Sequence, residues 1–174
     1  MEPRPFYQYE EEARGLGREA FLARYRAPFL VVYDPLPELE GDEAAIETGK
    51  FAALREKRPT PRKPASGSLV MGLVKSPKLG NLFPGMITVG RARNNDLVLP
   101  SREVSSFHAY FASPTDRNRS WTVCDAESSN GTLVEGQAAP KPTPLQSGSE
   151  VCFARVRCRF FSPEELWTLC SEGA

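Results

Sequence analysis

The sequence holds a single histidine, His108, in 174 residues. A Ser-His-Asp relay therefore has only one place to form, and a histidine-rich metal site has none. The four cysteines, Cys124, Cys152, Cys158 and Cys170, include no C-x-x-C pair. Structural zinc favours closer pairs, and disulfide frameworks belong to small secreted domains, so buried thiols and no metal are expected. No apolar run approaches the roughly 20 residues that span a bilayer. The longest, Phe29 to Tyr33, has the length of a strand. No apolar signal core follows Met1-Glu2-Pro3-Arg4-Pro5, and a cytoplasmic location is expected. Net charge is also missing: Lys plus Arg is 22 and Asp plus Glu is 22. The balance holds locally, with 11 basic and 12 acidic residues in 1–64 and 11 and 10 in 65–174. Neither part is a polycation, so neither nucleic acid nor a membrane surface is an expected partner. Residues 1–64 hold no histidine, no cysteine, no P-loop and no G-x-S-x-G, so neither an enzyme nor a cofactor is expected.

What is present changes character along the chain. Residues 1–9 carry little pattern and read as disordered. Glu10 to Tyr25 reads as a helix, with Leu16, Ala20, Phe21 and Tyr25 near helical spacing, strongest from Arg18 onward because Gly15 and Gly17 weaken its first half. Pro28 ends it. Phe29 to Tyr33 is a strand candidate, closed by Asp34-Pro35-Leu36-Pro37. Residues 43–56 suggest a short helix. Arg55 to Ser68, basic and rich in proline, reads as a linker. The domain boundary is placed there, giving an extension over 1–64 and a β domain over 65–174.

After Ser68 the segments are short and β-rich. Candidate strands are Leu69–Lys75, Met86–Val89, Leu97–Leu99, Ala109–Ala112, Trp121–Cys124, Thr132–Val134, Glu150–Phe153 and Arg157–Phe161. Turn residues such as Asn94-Asn95-Asp96, Asn130-Gly131 and Ser147-Gly148 separate them. Regular short strands of this kind imply a β-sandwich. Ser162-Pro163-Glu164-Glu165 then opens a last helix, with a serine cap, proline at the first position and glutamate at the third.

Three polar clusters fall at strand ends: Gly90-Arg91, Ser105-Ser106-Phe107-His108 and Ser128-Ser129-Asn130-Gly131. In a sandwich they can share one rim. In this order and spacing they resemble the forkhead-associated (FHA) family, whose pattern is Gly-Arg, then Ser-x-x-His, then Asn-Gly. The resemblance covers roughly residues 68–162. It implies a mainly β, FHA-like sandwich with an α-containing N-terminal extension and a short C-terminal helix. It also implies a binding module for phosphothreonine peptides in Ser/Thr kinase signalling. The chemistry of the residues agrees. A phosphothreonine carries roughly two negative charges and three strong acceptors. Arg91 offers charge in a forked donor set. Ser105 and Ser106 offer hydroxyls, Asn130 can bond the ligand backbone, and Ser129 adds a polar contact.

Each residue also has a plainer reading. Arg91 could be an exposed strand-end arginine and Ser105 a loop brace. Asn130-Gly131 could be a tight hairpin turn. By the resemblance, His108 braces the loops, while Gly90 and Gly131 serve the backbone. Ser106 and Phe107 depart from the polar or basic residues frequent there, which removes a potential cation. Arg93 and Arg102 flank the site and could compensate, and Glu103 falls where a flanking ligand residue is read. The alternative function is a phosphate-independent protein scaffold using the sandwich or the extension. The expected partner is a threonine-phosphorylated protein, or a Ser/Thr kinase itself. Thr48 and Thr60 are candidate tethered ligands if phosphorylated.

Overall fold

A computed structural model describes residues 3–33, 63–77, 83, 85–116 and 119–172. The helix expected over 43–56, most of the linker, and Thr48 and Thr60 lie outside the described residues. The chain begins with β1 (Arg4–Pro5), α1 (Phe6–Arg24) and β2 (Phe29–Val32). There follow β3 (Leu69–Gly72), β4 (Met86–Gly90), β5 (Leu97–Val98), β6 (Ala109–Ala112), β7 (Thr122–Asp125) and β8 (Thr132–Val134). The last elements are β9 (Gln137–Ala138), β10 (Thr143–Pro144), β11 (Glu150–Phe153), β12 (Val156–Phe161) and α2 (Pro163–Ser171). The expected mainly β fold with a helix at each end is therefore present. Every strand expected after Ser68 is found, and β9 and β10 are additional.

The strands form two sheets, ordered β1-β3-β2-β12-β11-β8-β9 and β10-β7-β6-β4-β5. All pairings are antiparallel except that of β4 with β5. The sheets enclose one apolar core, including Leu30, Val32, Met71, Val89, Phe111, Val151, Phe153 and Phe160. A second core covers the outer face of the larger sheet. There α1 and α2 bring Phe6, Tyr9, Phe21, Leu166 and Leu169 onto Phe29, Val31, Val70 and Phe161.

The unbroken apolar run of β2 follows from this arrangement. Leu30 and Val32 face the inner core and Phe29 and Val31 the outer one, so all four are buried. β2 lies between β12 and β3, pairing Phe29 with Phe161 and with Gly72. A boundary at residues 64/65 thus separates strands that are hydrogen-bonded neighbours.

Residues 3–9 are where the sequence reading and the structure part. From Phe6 onward the chain is helical, and Phe6 and Tyr9 are fully buried. Their order comes from distant partners. Phe6 N–H donates to Ser68 C=O at 2.8 Å and Tyr7 N–H to Ser66 C=O at 3.0 Å. Arg4 donates to Glu12 at 2.7 Å and to the Tyr25 hydroxyl at 2.6 Å, with its guanidinium 4.3 Å above the Tyr9 ring. Such contacts leave no local signal. Gly17 does interrupt α1: its φ of 69° divides the element into two helical stretches. α2 matches the sequence reading closely, with the Ser162 hydroxyl accepting from Glu165 N–H at 3.2 Å.

A fragment starting at residue 65 is expected to lose cooperative thermal unfolding, because β1, α1 and β2 are removed together. In the full chain, Phe29→Ala is expected to cost about 3 kcal/mol, as for other fully buried aromatic side chains. Denaturant unfolding of both proteins checks this.

Candidate functional site

The turn after β4 and the loop before β6 are zipped together by backbone bonds. Arg91 N–H donates to Ser105 C=O at 2.9 Å, Ala92 N–H to Ser106 C=O at 3.2 Å and His108 N–H to Val89 C=O at 2.8 Å. The approach is so close that a Cβ on Gly90 would stand 2.3 Å from the Ser106 carbonyl oxygen and 2.8 Å from Asn95 Nδ2. Only glycine fits there. Asn95, buried to 4% exposure, donates through Nδ2 to Ala92 C=O at 2.8 Å and Ser106 C=O at 2.7 Å. Next to it, the fully buried Asp96 carboxylate accepts from Lys75 Nζ, Ser76 N–H, Thr88 N–H and Thr88 Oγ1, all within 3.0 Å. A buried carboxylate is tolerated when paired and fully bonded in this way.

His108 joins this unit to the loop between β7 and β8. Its Nδ1 accepts from Ser105 N–H at 3.0 Å, and its Nε2 lies 3.1 Å from Gly131 C=O. A backbone N–H can only donate and a carbonyl only accept. The ring is therefore neutral with its proton on Nε2. Burial lowers its pKa from the ordinary 6.5, opposed but not overcome by the Gly131 carbonyl and the Asp125 charge. Asp125 organises the facing loop. It accepts from Ser128 N–H at 2.9 Å, Ser128 Oγ at 2.7 Å and Thr132 Oγ1 at 2.6 Å. Ser128 Oγ in turn accepts from Gly131 N–H at 2.9 Å. Burial pushes the Asp125 carboxyl up, but bonds from Thr132 and Ser128 outweigh it and hold it below its ordinary range.

The sequence-identified residues gather on this frame. Ser105 Oγ accepts from Ser129 N–H at 3.1 Å, and Asn130 Nδ2 donates to Glu103 C=O at 2.8 Å. Arg91 Nε donates to Val104 C=O at 3.2 Å, its only hydrogen bond through the side chain among the described residues. The guanidinium is exposed at the rim. Ser106, Ser129 and Asn130 are also exposed, and Ser105 is half-buried. Gly131 has a φ of 78° while Asn130 does not enter the left-handed region, so this is not the two-residue turn with both φ positive. Arg93 and Arg102 are exposed on the flanking loops. The Glu103 carboxylate is paired with Arg155 at 3.3 Å, which brings the β11–β12 turn to the same rim.

Asn95, Asp96, Asp125 and Arg155 carry structural roles the sequence reading did not assign. For Asp125 a signal exists: Asp125-x-x-Ser128 has the spacing at which an aspartate bonds a following backbone N–H. Arg155 had none, since its partner lies far away in sequence. The four cysteines are buried and free, as expected. Among the described residues no group of His, Cys, Asp or Glu is placed to hold a metal ion. Among them, too, no helix is long and apolar enough to cross a membrane.

The loops bearing Arg91, Ser105 and Asn130 form a polar rim at one end of the two-sheet sandwich. Residues 87–154 match the family model described as the FHA domain. The chain carries a domain of the FHA family. It is similar to Mycobacterium tuberculosis EmbR, solved in complex with a low-affinity phosphopeptide, at 27% identity over 45% of this chain and 20% of that one, with a TM-score of 0.40. The chain thus spans only a fifth of the EmbR chain it matches. It is similar to the FHA domain of the CT664 protein from Chlamydia trachomatis at 22% identity over 53% of this chain and 84% of that one, with a TM-score of 0.43. Against the MEK1 FHA domain in complex with a HOP1 phosphothreonine peptide, the values are 24%, 53%, 87% and 0.42. Comparison with curated protein sequences gave no match.

Gly90→Ala is expected to lower stability by about 2 kcal/mol, since backbone must move to admit the methyl group. Amide exchange should accelerate first at Arg91 and Ala92. The His108 environment predicts a second outcome. The unfolded imidazole takes up a proton near 6.5 but the folded one only at lower pH. Stability is therefore full above that value and declines as pH falls below it. Asp125, held below 3.8, stays charged through this window. Denaturant titrations from pH 7 to about 5 should show the decline in the native chain and a flatter profile in His108→Gln.

Proposed function

We propose that the protein is a phosphothreonine-dependent protein-binding module acting in Ser/Thr kinase signalling. The observation that carries this reading is the Arg91 guanidinium, aimed from a rigid turn by its bond to Val104 and exposed beside the Ser105 and Ser129 loops. Arg91 supplies the fixed cation for the phosphate. Ser105, whose oxygen already accepts from Ser129 N–H, still has its hydroxyl proton to donate. Ser106 and Ser129 add neutral donors at the rim. Asn130 uses one amide proton to hold Glu103 C=O, leaving its second proton and its carbonyl for a ligand backbone. The match to the FHA family supports the same assignment.

Arg93 and Arg102 are placed to strengthen attraction for a phosphorylated, acidic ligand. Glu103 contributes differently: its carbonyl ties the loop to Asn130, and its carboxylate, already paired with Arg155, sets the charge beside the ligand. Gly90, His108 and Gly131 shape the backbone and make no ligand contact. The partner is a threonine-phosphorylated protein produced by a Ser/Thr kinase.

The test is binding of the full chain to a degenerate phosphothreonine peptide library, with unphosphorylated and phosphoserine controls. Binding should require phosphate and fall at least about tenfold in Arg91→Ala, the loss of a charge-assisted contact. Arg91→Lys should recover only part of it, because an ammonium lacks the forked donor geometry. Binding that is indifferent to phosphate would assign the sandwich to phosphate-independent scaffolding.

A further inference from the structure

Phe107, between Ser106 and His108 on the rim loop, is 37% exposed. Its ring stacks on Phe83, itself 45% exposed, with centroids 5.6 Å apart and planes 11° from parallel. A single exposed phenylalanine is unremarkable on a protein surface. Two stacked ones beside a polar recognition site are a different matter, because together they present a continuous apolar face. The other aromatic pairs among the described residues are tilted or edge-on, and each includes a buried ring or is partly packed on the core.

Hydrogen bonds reach the backbone around Phe107 and the carbonyl of Phe83. The Phe107 backbone is held on one side by the Ser106 carbonyl, which accepts from Ala92 N–H and Asn95, and on the other by His108. The Phe83 carbonyl accepts from Lys75 Nζ at 2.6 Å, and Lys75 is fixed by the buried Asp96. Ser106 and Phe107 also bring no charge to positions one and two residues past Ser105. Of these two positions, Phe107 thus presents an apolar ring at the rim.

We infer that the Phe83–Phe107 pair is a specificity-determining surface that selects phosphothreonine ligands carrying a large apolar side chain, aromatic or branched aliphatic, close to the phosphorylated residue. This rests on the phosphothreonine reading above. The occupant is a side chain of the same peptide whose phosphate meets Arg91, because Phe107 is contiguous in sequence with the loop that bears Ser105 and Ser106.

The experiment scans each flanking position of a fixed phosphothreonine peptide through Ala, Lys, Glu, Leu and Phe. Affinity for the full-length native chain, Phe107→Ala and Arg91→Ala is read by fluorescence anisotropy. The native chain should prefer Leu or Phe at one flanking position by about tenfold over Ala or Lys. Phe107→Ala should erase that preference while still requiring phosphate, and Phe107→Leu should keep most of it. Thermal melts of both variants should match the native chain, since the ring is exposed. Phosphate-dependent binding with no apolar preference, or a preference that survives Phe107→Ala, overturns the inference and leaves the phosphothreonine reading intact. A shift in oligomeric state in Phe107→Ala with peptide preference unchanged overturns it too, by assigning the aromatic face to self-association. Failure of the native chain to bind any phosphopeptide overturns both readings together.

Discussion

The imidazole of His108 can hold the Ser105 and Gly131 loops together only while it is neutral. Its Nδ1 needs a lone pair for Ser105 N–H, and its Nε2 needs a proton for Gly131 C=O. Burial supplies the condition by penalising the charged form. Much else at the rim hangs on this one ring. With Ser105 fixed, its hydroxyl meets Ser129 N–H and its carbonyl receives Arg91 N–H. With Gly131 fixed, Asn130 reaches Glu103. The sole histidine of the chain is thus the brace between two rim loops, and its chemistry as a base is consumed by the N–H it accepts.

Two further constraints make the brace effective. The absent side chain of Gly90 lets the Ser106 carbonyl come within bonding distance of Asn95 and Ala92. The Asp125 carboxylate gathers Ser128 and Thr132, and through Ser128 the Gly131 amide. Each device satisfies polar groups that the loops would otherwise bury without partners, and unpaired buried groups cost about 1–3 kcal/mol apiece. The loops are therefore held by specific bonds in addition to the apolar core beneath them.

How far the sequence could be read depended on whether the signal was local. The β-strands after Ser68 were legible because alternation and turn residues are written within each segment. The capped α2 was legible for the same reason: Ser162, Pro163 and Glu165 lie in one turn. Arg91, Ser105, Ser129 and Asn130 could be found because their order and spacing form a pattern, although their convergence needed three-dimensional contacts to establish. The first residues failed the same test. Arg4, Phe6 and Tyr7 are ordered by Val70, Ser68 and Ser66, some sixty positions away. Residues 1–9 carry little local pattern and read as disordered, and tertiary burial of Phe6 and Tyr9 overrides that reading. The linker texture of residues 55–68 pointed to a domain boundary for a related reason. Composition records a change of local structure, but it cannot record that β2 is the hydrogen-bonded neighbour of β3 and β12.

That placement of β2 bears on how the rim is supported. β12 pairs on one side with β2 and on the other with β11, and β11 pairs with β8, which begins directly after Gly131. Ala154, in the turn between β11 and β12, donates its N–H to Gly131 C=O at 3.0 Å, the same carbonyl that His108 faces. The N-terminal elements therefore reach the rim loops through three consecutive strand pairings. α1 covers the outer face of this sheet with Phe21 and Tyr9 packed near Phe29 and Phe161, so the helix protects the strand that anchors the turn. An N-terminal segment that reads as an appendage in sequence thus belongs to the scaffold that sets the geometry of the site.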